Sequence, residues 1–425
     1  MELLIYLILF LLVLIVSSTT NKLLPFLPLP LVQILLGIVI GLFLPNTDFH
    51  LNTELFLALV IGPLLFRESE EADITAILKH WRIIVYLIFP VIFISTLSLG
   101  GLAHLLWFSL PLAACLAVGA ALGPTDLVAF ASLSERFSFP KRVSNILKGE
   151  GLLNDASGLV AFQVALTAWT TGAFSLGQAS SSLLFSILGG FLIGFLTAMI
   201  NRFLHSFLLS VRATDIASEL LLELSLPLVT FFLAEEVHVS GIIAVVVAGI
   251  LKASRFKKIT LLEAQVDTVT ETVWHTVTFM LNGSVFVILG MELEMIAEPI
   301  LTNPIYNPLL LLVSLIVLTF LLFAIRFVMI YGYYAYRTRR LKKKLNKYMK
   351  DMLLLTFSGV KGTVSIATIL LIPSNLEQEY PLLLFLVAGV TLVSFLTGLV
   401  VLPHLSDEQE ESKDYLMHIA ILNEV

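Results

Sequence analysis

The chain has 425 residues, of which 58% are hydrophobic and only 13% are charged, and its net charge is −6. Soluble domains have about 45–50% apolar and about 25% charged residues, so this composition excludes an ordinary soluble protein and predicts a polytopic membrane protein. The single cysteine excludes an intrachain disulfide framework. Nothing in the charge pattern indicates nucleic-acid binding.

Apolar stretches of membrane-spanning length recur along the chain, since a helix needs about 17–25 such residues to cross a bilayer. The first stretch is interpreted as a retained helix and not a signal peptide, because no basic region precedes it and no small-residue cleavage site follows. Residues 68–80 are predicted to form an amphipathic helix at the membrane interface, and 404–425 a short cytoplasmic tail. We predict an all-α fold of about thirteen transmembrane helices within 1–403, called segments 1–13 in order: 2–18, 24–45, 54–67, 82–106, 111–134, 144–170, 182–208, 216–236, 239–252, 272–294, 305–334, 352–372 and 380–403.

Basic residues alternate between the connections of these segments. Every connection after an odd-numbered segment contains lysine or arginine, and those after even-numbered segments contain none. The positive-inside rule therefore predicts an outside N-terminus and a cytoplasmic C-terminus, and we expect the plasma membrane as the location. No G-x-x-x-x-G-K-[ST] loop is present, so ATP-driven pumping is not expected.

Few ionisable residues lie well inside the segments. A charge at the bilayer centre costs roughly 2.5–3.5 kcal/mol on insertion scales, so such residues mark ion or proton pathways. Glutamates of segment 8, Glu223 among them, lie nearer its ends or are hard to place. The residues near the centre are Asp126 in segment 5, Glu150 and Asp155 in segment 6, Arg326 in segment 11 and Lys361 in segment 12.

Two of the segments contain helix-breaking residues beside a charge. Segment 5 contains Gly123 and Pro124, and segment 12 contains Gly359 and Gly362 on either side of its lysine. Proline removes a backbone donor, and glycine lowers the cost of leaving helical geometry. Because the two segments are an odd number apart, we predict inverted repeats whose broken helices cross at mid-membrane.

Helical geometry separates the roles of the polar residues in segment 6. Glu150 and Asn154 lie on nearly one face, whereas Asp155 points about 140° away from Glu150. Arg326 never loses its proton and needs a permanent anion, for which Glu150 is the expected partner.

The remaining charges predict a transport stoichiometry. Lys361 is expected to balance Asp126, which leaves Asp155 without a fixed cation. The five central charges sum to −1, and one monovalent cation or one proton on Asp155 brings the sum to zero. Competition for this carboxylate predicts electroneutral one-for-one exchange, without a cofactor and with no metal beyond the transported cation.

The motifs T-D at 125–126 and E-x-x-x-N-D at 150–155 resemble those of monovalent cation:proton antiporters, in the NhaP and sodium–proton exchanger branch. The resemblance implies a homodimer with an elevator-like mechanism. Segments 1–3 and 8–10 would form the dimer and scaffold region, segment 7 a linker, and segments 4–6 and 11–13 the moving ion-translocating core.

The resemblance also implies the ion site. Asn154, where a second aspartate would stand in electrogenic members, is typical of the electroneutral class. Sodium is the expected cation, potassium and lithium are alternatives, and pH regulation is the expected role. The implied cation- and proton-binding residues are Asp155, with Thr125, Asp126, Asn154 and Glu150 nearby.

Two positions depart from the family pattern. Gly151 follows the motif glutamate where family members often have serine, and this leaves the coordination and the ion preference open. Lys361 stands where they often have arginine, and lysine shifts its pKa more readily than arginine.

Other functions fit the sequence less well. An intramembrane aspartyl protease needs a Gly-x-Gly-Asp motif and a channel needs a filter repeat, and neither is present. We therefore expect a transporter and not an enzyme, with membrane lipids and a second copy as partners. A proton-coupled transporter of another small solute is the main alternative.

Overall fold

The computed structural model describes residues 2–24, 29–43, 53–126, 130, 137–172, 176–211, 215–253, 261–302, 306–340, 342, 344–369, 371–372, 379–405 and 407–408. Within that part of the chain, six helices are long and apolar enough to cross a membrane by length and composition, so the number thirteen stays a prediction. The helices are α1 (Glu2–Leu23), α2 (Leu29–Phe43), α3 (53–71), α4 (Ile74–Lys79), α5 (Trp81–Leu106), α6 (Leu112–Ala121), α7 (Lys141–Thr171), α8 (Leu176–Ser210), α9 (Ile216–Glu236), α10 (Gly241–Ala253), α11 (Leu261–Thr302), α12 (Pro308–Arg340), α13 (Met349–Phe357), α14 (Thr363–Ile369) and α15 (Tyr380–Leu405).

Two helices contain a π turn that the sequence pattern did not predict. In α3 the turn is Leu57–Ile61, and in α5 it is Leu87–Val91, which contains Pro90. Proline has no N–H and clashes with the carbonyl of the preceding turn. The wider π turn allows α5 to continue past this proline as one helix.

An amphipathic helix was predicted over 68–80, and its predicted start is wrong. The structure continues α3 to Glu71 and leaves only α4 as a separate helix. Arg67 explains the difference, since its guanidinium pairs with Glu70 at 3.0 Å and with Glu71 at 2.6 Å. These i,i+3 and i,i+4 pairs stabilise another helical turn.

The predicted breaks in segments 5 and 12 are present. Helix α6 ends at Ala121 and is followed by non-helical backbone to Asp126. Apart from Phe130, the rest of segment 5 lies outside the described residues. In segment 12, five non-helical residues separate α13 from α14.

Apolar side chains pack in four main clusters. Two of them are built mainly from α5, α6, α7, α12, α13 and α15. The third joins α3, α9, α10 and α11 to Leu159 of α7 and Ala367 of α14. The fourth joins α2 and α11 to Ile366 of α14 and Ala388 of α15. Helix α14 of segment 12 therefore packs with α7 and α15 and also with α2, α3 and α11.

A short antiparallel strand pair joins β1 (Phe137–Ser138) to β2 (Asp407–Glu408), with Phe137 opposite Glu408. This pair was not predicted, and the tail beyond it lies outside the described residues. The other described elements are helices, so the prediction of an all-α membrane fold is confirmed.

Candidate functional site

The two breaks touch through their backbones. The N–H of Asp126 donates to the carbonyl oxygen of Val360 at 3.0 Å, and the N–H of Lys361 donates to the Ser394 hydroxyl at 3.1 Å. Within the described part of the chain, Gly172 is the only glycine with a positive φ angle. Glycine is therefore needed in the breaks because neighbouring atoms lie close to its Cα, and not because the backbone is left-handed.

The Lys361 side chain lies at the carboxyl end of α6. Its ammonium donates to the carbonyl oxygens of Pro124 at 2.6 Å and Gly123 at 2.8 Å, and the side chain is buried. Carbonyls at a helix end lack intrahelical partners and carry partial negative charge. The lysine therefore satisfies the carbonyls that the break after α6 leaves free.

Asp126 lies beside the same lysine. Its buried carboxylate packs against the Cα of Gly362, where a Cβ would overlap one carboxylate oxygen. The predicted balance of Asp126 by Lys361 stays a prediction, because the hydrogen bonds described for the ammonium go to backbone carbonyls. The crossing nevertheless places a buried anion and a buried cation on adjoining stretches.

Glu150 and Arg326 form the ion pair that was expected from their charges. The guanidinium donates to both carboxylate oxygens, at 2.6 and 2.8 Å, and its Nε donates to the Leu355 carbonyl at 2.9 Å. The two residues are only 2% and 4% exposed. Gly359 makes room for the pair, since a Cβ there would overlap the guanidinium. A dry, bidentate pair of this kind fixes α7 against α12 and the break in segment 12.

Asn154 joins α7 to the break in segment 5. Its Nδ2 donates to the Thr125 hydroxyl at 2.7 Å and to the Thr125 carbonyl at 3.2 Å. Its Oδ1 is buried and has no hydrogen-bond partner among the described residues. Asp155 follows on α7, and its side chain lies outside the described residues. A buried acceptor left unpaired costs about 1–3 kcal/mol, so this oxygen is suited to accept a ligand.

Two further α7 residues reach the crossing, and sequence reasoning missed both. The Ser157 hydroxyl lies 2.8 Å from the Asn154 carbonyl oxygen and 3.4 Å from that of Ile88 in the π turn of α5. Gly158 lies against the Pro124 ring, where a Cβ would overlap it. In the sequence, the signals for these two contacts are Pro90 inside segment 4 and Gly158 one turn after Asn154.

The crossing carries side chains of the kind that hard cations bind. Thr125 and Asn154 are hydrogen-bonded to each other, and Asp126 follows Thr125 in the chain. Hydroxyl, amide and carboxylate oxygens are ligands that such cations take. Within the described residues, no group of three or more His, Cys, Asp or Glu side chains is arranged to hold a resident metal ion.

The comparison with protein families decides the assignment. The family model for the sodium/hydrogen exchanger, transmembrane, matches residues 7–406. The chain belongs to this family.

Curated relatives cover most of this chain. It is 35% identical over 412 residues to the sodium, potassium, lithium and rubidium/H(+) antiporter of Bacillus pumilus (strain SAFR-032), with 95% of the chain and 61% of the relative covered. The antiporter of the same description in Bacillus subtilis (strain 168) is 35% identical over 400 residues, 92% of the chain and 60% of the relative. The chain thus spans about three fifths of the length of these two proteins. The uncharacterised Na(+)/H(+) exchanger YjcE of Escherichia coli (strain K12) is 31% identical over 420 residues, 95% of the chain and 76% of the relative.

A solved structure shares the fold of this chain. It is the sodium proton antiporter MjNhaP1 from Methanocaldococcus jannaschii at pH 8, with a TM-score of 0.66 and 19% sequence identity. The match covers 95% of the chain described here and 96% of the MjNhaP1 chain.

The protein also has a buried charge cluster outside the crossing. The Lys252 ammonium of α10 lies 2.7 Å from Glu223 of α9 and 3.7 Å from Glu70 of α3. The indole N–H of Trp274 in α11 donates to the other Glu223 oxygen at 2.9 Å. Glu223 thus joins α9 to α10 and α11, and Lys252 extends the cluster to α3, through contacts that the sequence did not predict.

A second cluster surrounds Arg142 at the start of α7. Its guanidinium lies 3.5 Å from Asp351 and donates to the Tyr334 hydroxyl at 3.1 Å. Burial raises the pKa of Asp351, and the Arg142 charge partly opposes this. The pKa of His80 is lowered by partial burial and then by the positive charges of Arg142, Lys79 and Arg337.

Proposed function

We propose that the chain exchanges a monovalent cation for a proton across a membrane. One observation supports this most directly: the buried Asn154 Oδ1 has no hydrogen-bond partner among the described residues, and it lies one residue before Asp155, at the crossing of two broken helices. Family membership points the same way. A carboxylate beside such an oxygen provides a site that either a cation or a proton can occupy.

Asp155 is the proposed exchange residue. Arg326 holds both oxygens of Glu150 in a bidentate pair, so that glutamate already has a fixed cation as its partner. A cation or a proton on Asp155 then brings the central charge to zero, and a neutral site crosses the barrier at lower cost than a charged one. One-for-one, electroneutral exchange follows, and Asn154 preserves it by adding no second charge.

The elevator-like movement and the homodimer are further parts of the proposal. Segments 4–6 and 11–13 form the moving core, segments 1–3 and 8–10 the scaffold and dimer region, and segment 7 the linker. The apolar contacts of α2, α3, α10 and α11 with α7, α14 and α15 support a sliding boundary, because apolar surfaces lose few specific bonds when they slip.

Sodium is the first candidate for the transported cation, with potassium and lithium as alternatives. The two Bacillus relatives are named for all three of these ions. Gly151 supplies no side-chain oxygen beside Glu150, so the proposed ligands come from Thr125, Asp126, Asn154 and Asp155. The basic connections support a cytoplasmic C-terminus. A plasma-membrane location and a role in pH regulation complete the proposal.

A proton-coupled transporter of another small solute is the second candidate. The two are separated by reconstituting the purified chain in vesicles and imposing gradients of sodium, potassium or lithium across a range of pH. The proposal predicts cation-dependent proton movement that does not change when the membrane potential is clamped.

Asp155→Asn is expected to abolish this movement. The matched control is Asp215→Asn, which makes the same chemical change at the N-cap of α9, where asparagine also caps a helix well. Full cation-dependent proton flux in Asp155→Asn would contradict the assigned role. Proton flux driven only by an organic solute would favour the second candidate.

A further inference from the structure

A small cavity lies between α8, α9 and α10, away from the crossing. Its volume is about 50 Å³, and its polar walls are Asn201, Arg202 and Lys252. One water needs ~10–15 Å³ of such space, so the cavity accepts a group about the size of a phosphate. The apolar walls are Ala198, Met199, Leu226 and Leu251.

Two basic side chains, Arg202 and Lys252, face the cavity. Lys252 is paired with Glu223 at 2.7 Å, and Glu70 and Glu71 both pair with Arg67, at 3.0 and 2.6 Å. Arg202 is exposed, and it has no ion pair or hydrogen bond within the described part of the chain. An anionic ligand would therefore give Arg202 an ion pair.

The positions of Arg202 and Lys252 in their helices show how deep in the membrane the cavity lies. This residue precedes the end of α8 at Ser210 by eight residues, or about 12 Å along the helix axis. Lys252 is the next-to-last residue of α10. Both helices lead into basic connections, which the positive-inside rule assigns to the cytoplasm. The cavity thus lies near the headgroup layer of the cytoplasmic leaflet.

We propose that this cavity binds the phosphodiester of an anionic phospholipid. A phosphodiester is an anion, and the fork of Arg202 matches its oxygens bidentately. The Lys252 ammonium has three N–H donors, so it can donate to the phosphate and keep its bond to Glu223. Basic pockets between transmembrane helices on the cytoplasmic side bind anionic headgroups.

The apolar walls favour a lipid over a free anion. Ala198 and Met199 of α8 face Leu226 of α9 and Leu251 of α10 across the cavity. These side chains give the glycerol and acyl carbons a surface to contact, whereas a free phosphate would gain nothing from them. A bound lipid contacts all three helices and therefore stabilises their packing.

The test measures lipid binding to the full chain in detergent. Short-chain phosphatidylglycerol, phosphatidylcholine and inorganic phosphate are titrated separately while thermal unfolding is followed, and retained lipids are counted by native mass spectrometry. Phosphatidylglycerol is expected to raise the Tm in a saturable manner. Arg202→Gln is expected to weaken its apparent affinity at least tenfold, and Arg202→Lys by less.

The matched control is Arg339→Gln, which removes a similar exposed charge at the end of α12. Equal weakening by Arg339→Gln, or unchanged affinity in Arg202→Gln, would overturn the site. Equal stabilisation by inorganic phosphate would overturn the lipid assignment. Because binding is measured without transport, the result is independent of whether the chain exchanges cations.

Discussion

The guanidinium of Arg326 occupies the space over the Cα of Gly359 that any larger residue would fill. From that position it donates to both oxygens of Glu150 and to the Leu355 carbonyl. A glycine in the break of one helix thus determines whether two other helices can form their buried ion pair.

Gly359→Ala is expected to displace Arg326 and to weaken its pair with Glu150. Breaking a buried pair costs about 3–5 kcal/mol, because it leaves a charge without compensation. The measurement is thermal unfolding of the purified protein. Gly332→Ala is the control, since nothing lies within 4 Å of a Cβ at that position in α12. Equal stability of the two variants would contradict the steric role of Gly359.

The same pair predicts strong coupling between two substitutions. Glu150→Gln alone leaves the arginine charge buried and is expected to destabilise the protein by about 3–5 kcal/mol. Adding Arg326→Gln removes that charge, so the double variant is expected to be more stable than Glu150→Gln alone. A lysine in place of the arginine (Arg326→Lys) is expected to keep little of the stability that the pair provides, because lysine cannot donate bidentately. Additive losses in a double-mutant cycle would show that the two residues act independently.

The ion pair could be predicted from the sequence because so few charges lie within the segments. Arg326 requires an anion, and Glu150 is separated from Asp155 by helical geometry alone. The breaks were predictable for a similar reason, since glycine and proline have direct backbone effects.

Other parts depend on contacts between residues that are distant in the sequence. Nothing local to Glu223 indicates that Lys252 and Trp274 converge on it, and nothing near Ser157 indicates the π turn of α5. The strand pair was equally hidden, because two residues of extended backbone leave no periodic pattern.

His80 is expected to make the protein less stable in acid. Its pKa is lowered in the folded state, chiefly by partial burial and then by neighbouring positive charges. Above the ordinary value of 6.5 the ring is neutral in both states and has no effect. As the pH falls below that value the unfolded chain takes up the proton first, so stability is lost until the folded pKa is passed.

His80→Gln is therefore expected to match the parent protein at pH 8 and to exceed its Tm at pH 5. Lys79→Gln removes one of the charges that lower the His80 pKa and is expected to recover part of the acid stability. Lys22→Gln, which changes the same charge at the end of α1, is the control. Parallel Tm curves for His80→Gln and the parent from pH 8 to 5 would rule out this role of the histidine.

The strand pair predicts a specific crosslink between the loop before α7 and the tail after α15. Phe137 and Glu408 are register partners, and opposite residues in an antiparallel pair have Cα atoms about 4.5–5.5 Å apart, within disulfide range. Phe137→Cys with Glu408→Cys is expected to oxidise readily, with loss of two free thiols measured by alkylation and mass spectrometry.

Phe137→Cys with Asp407→Cys is the control, because successive side chains in a strand point to opposite faces. The native Cys115 is buried and is replaced by alanine in both. Equal oxidation of the two pairs would show that the tail does not hold this register.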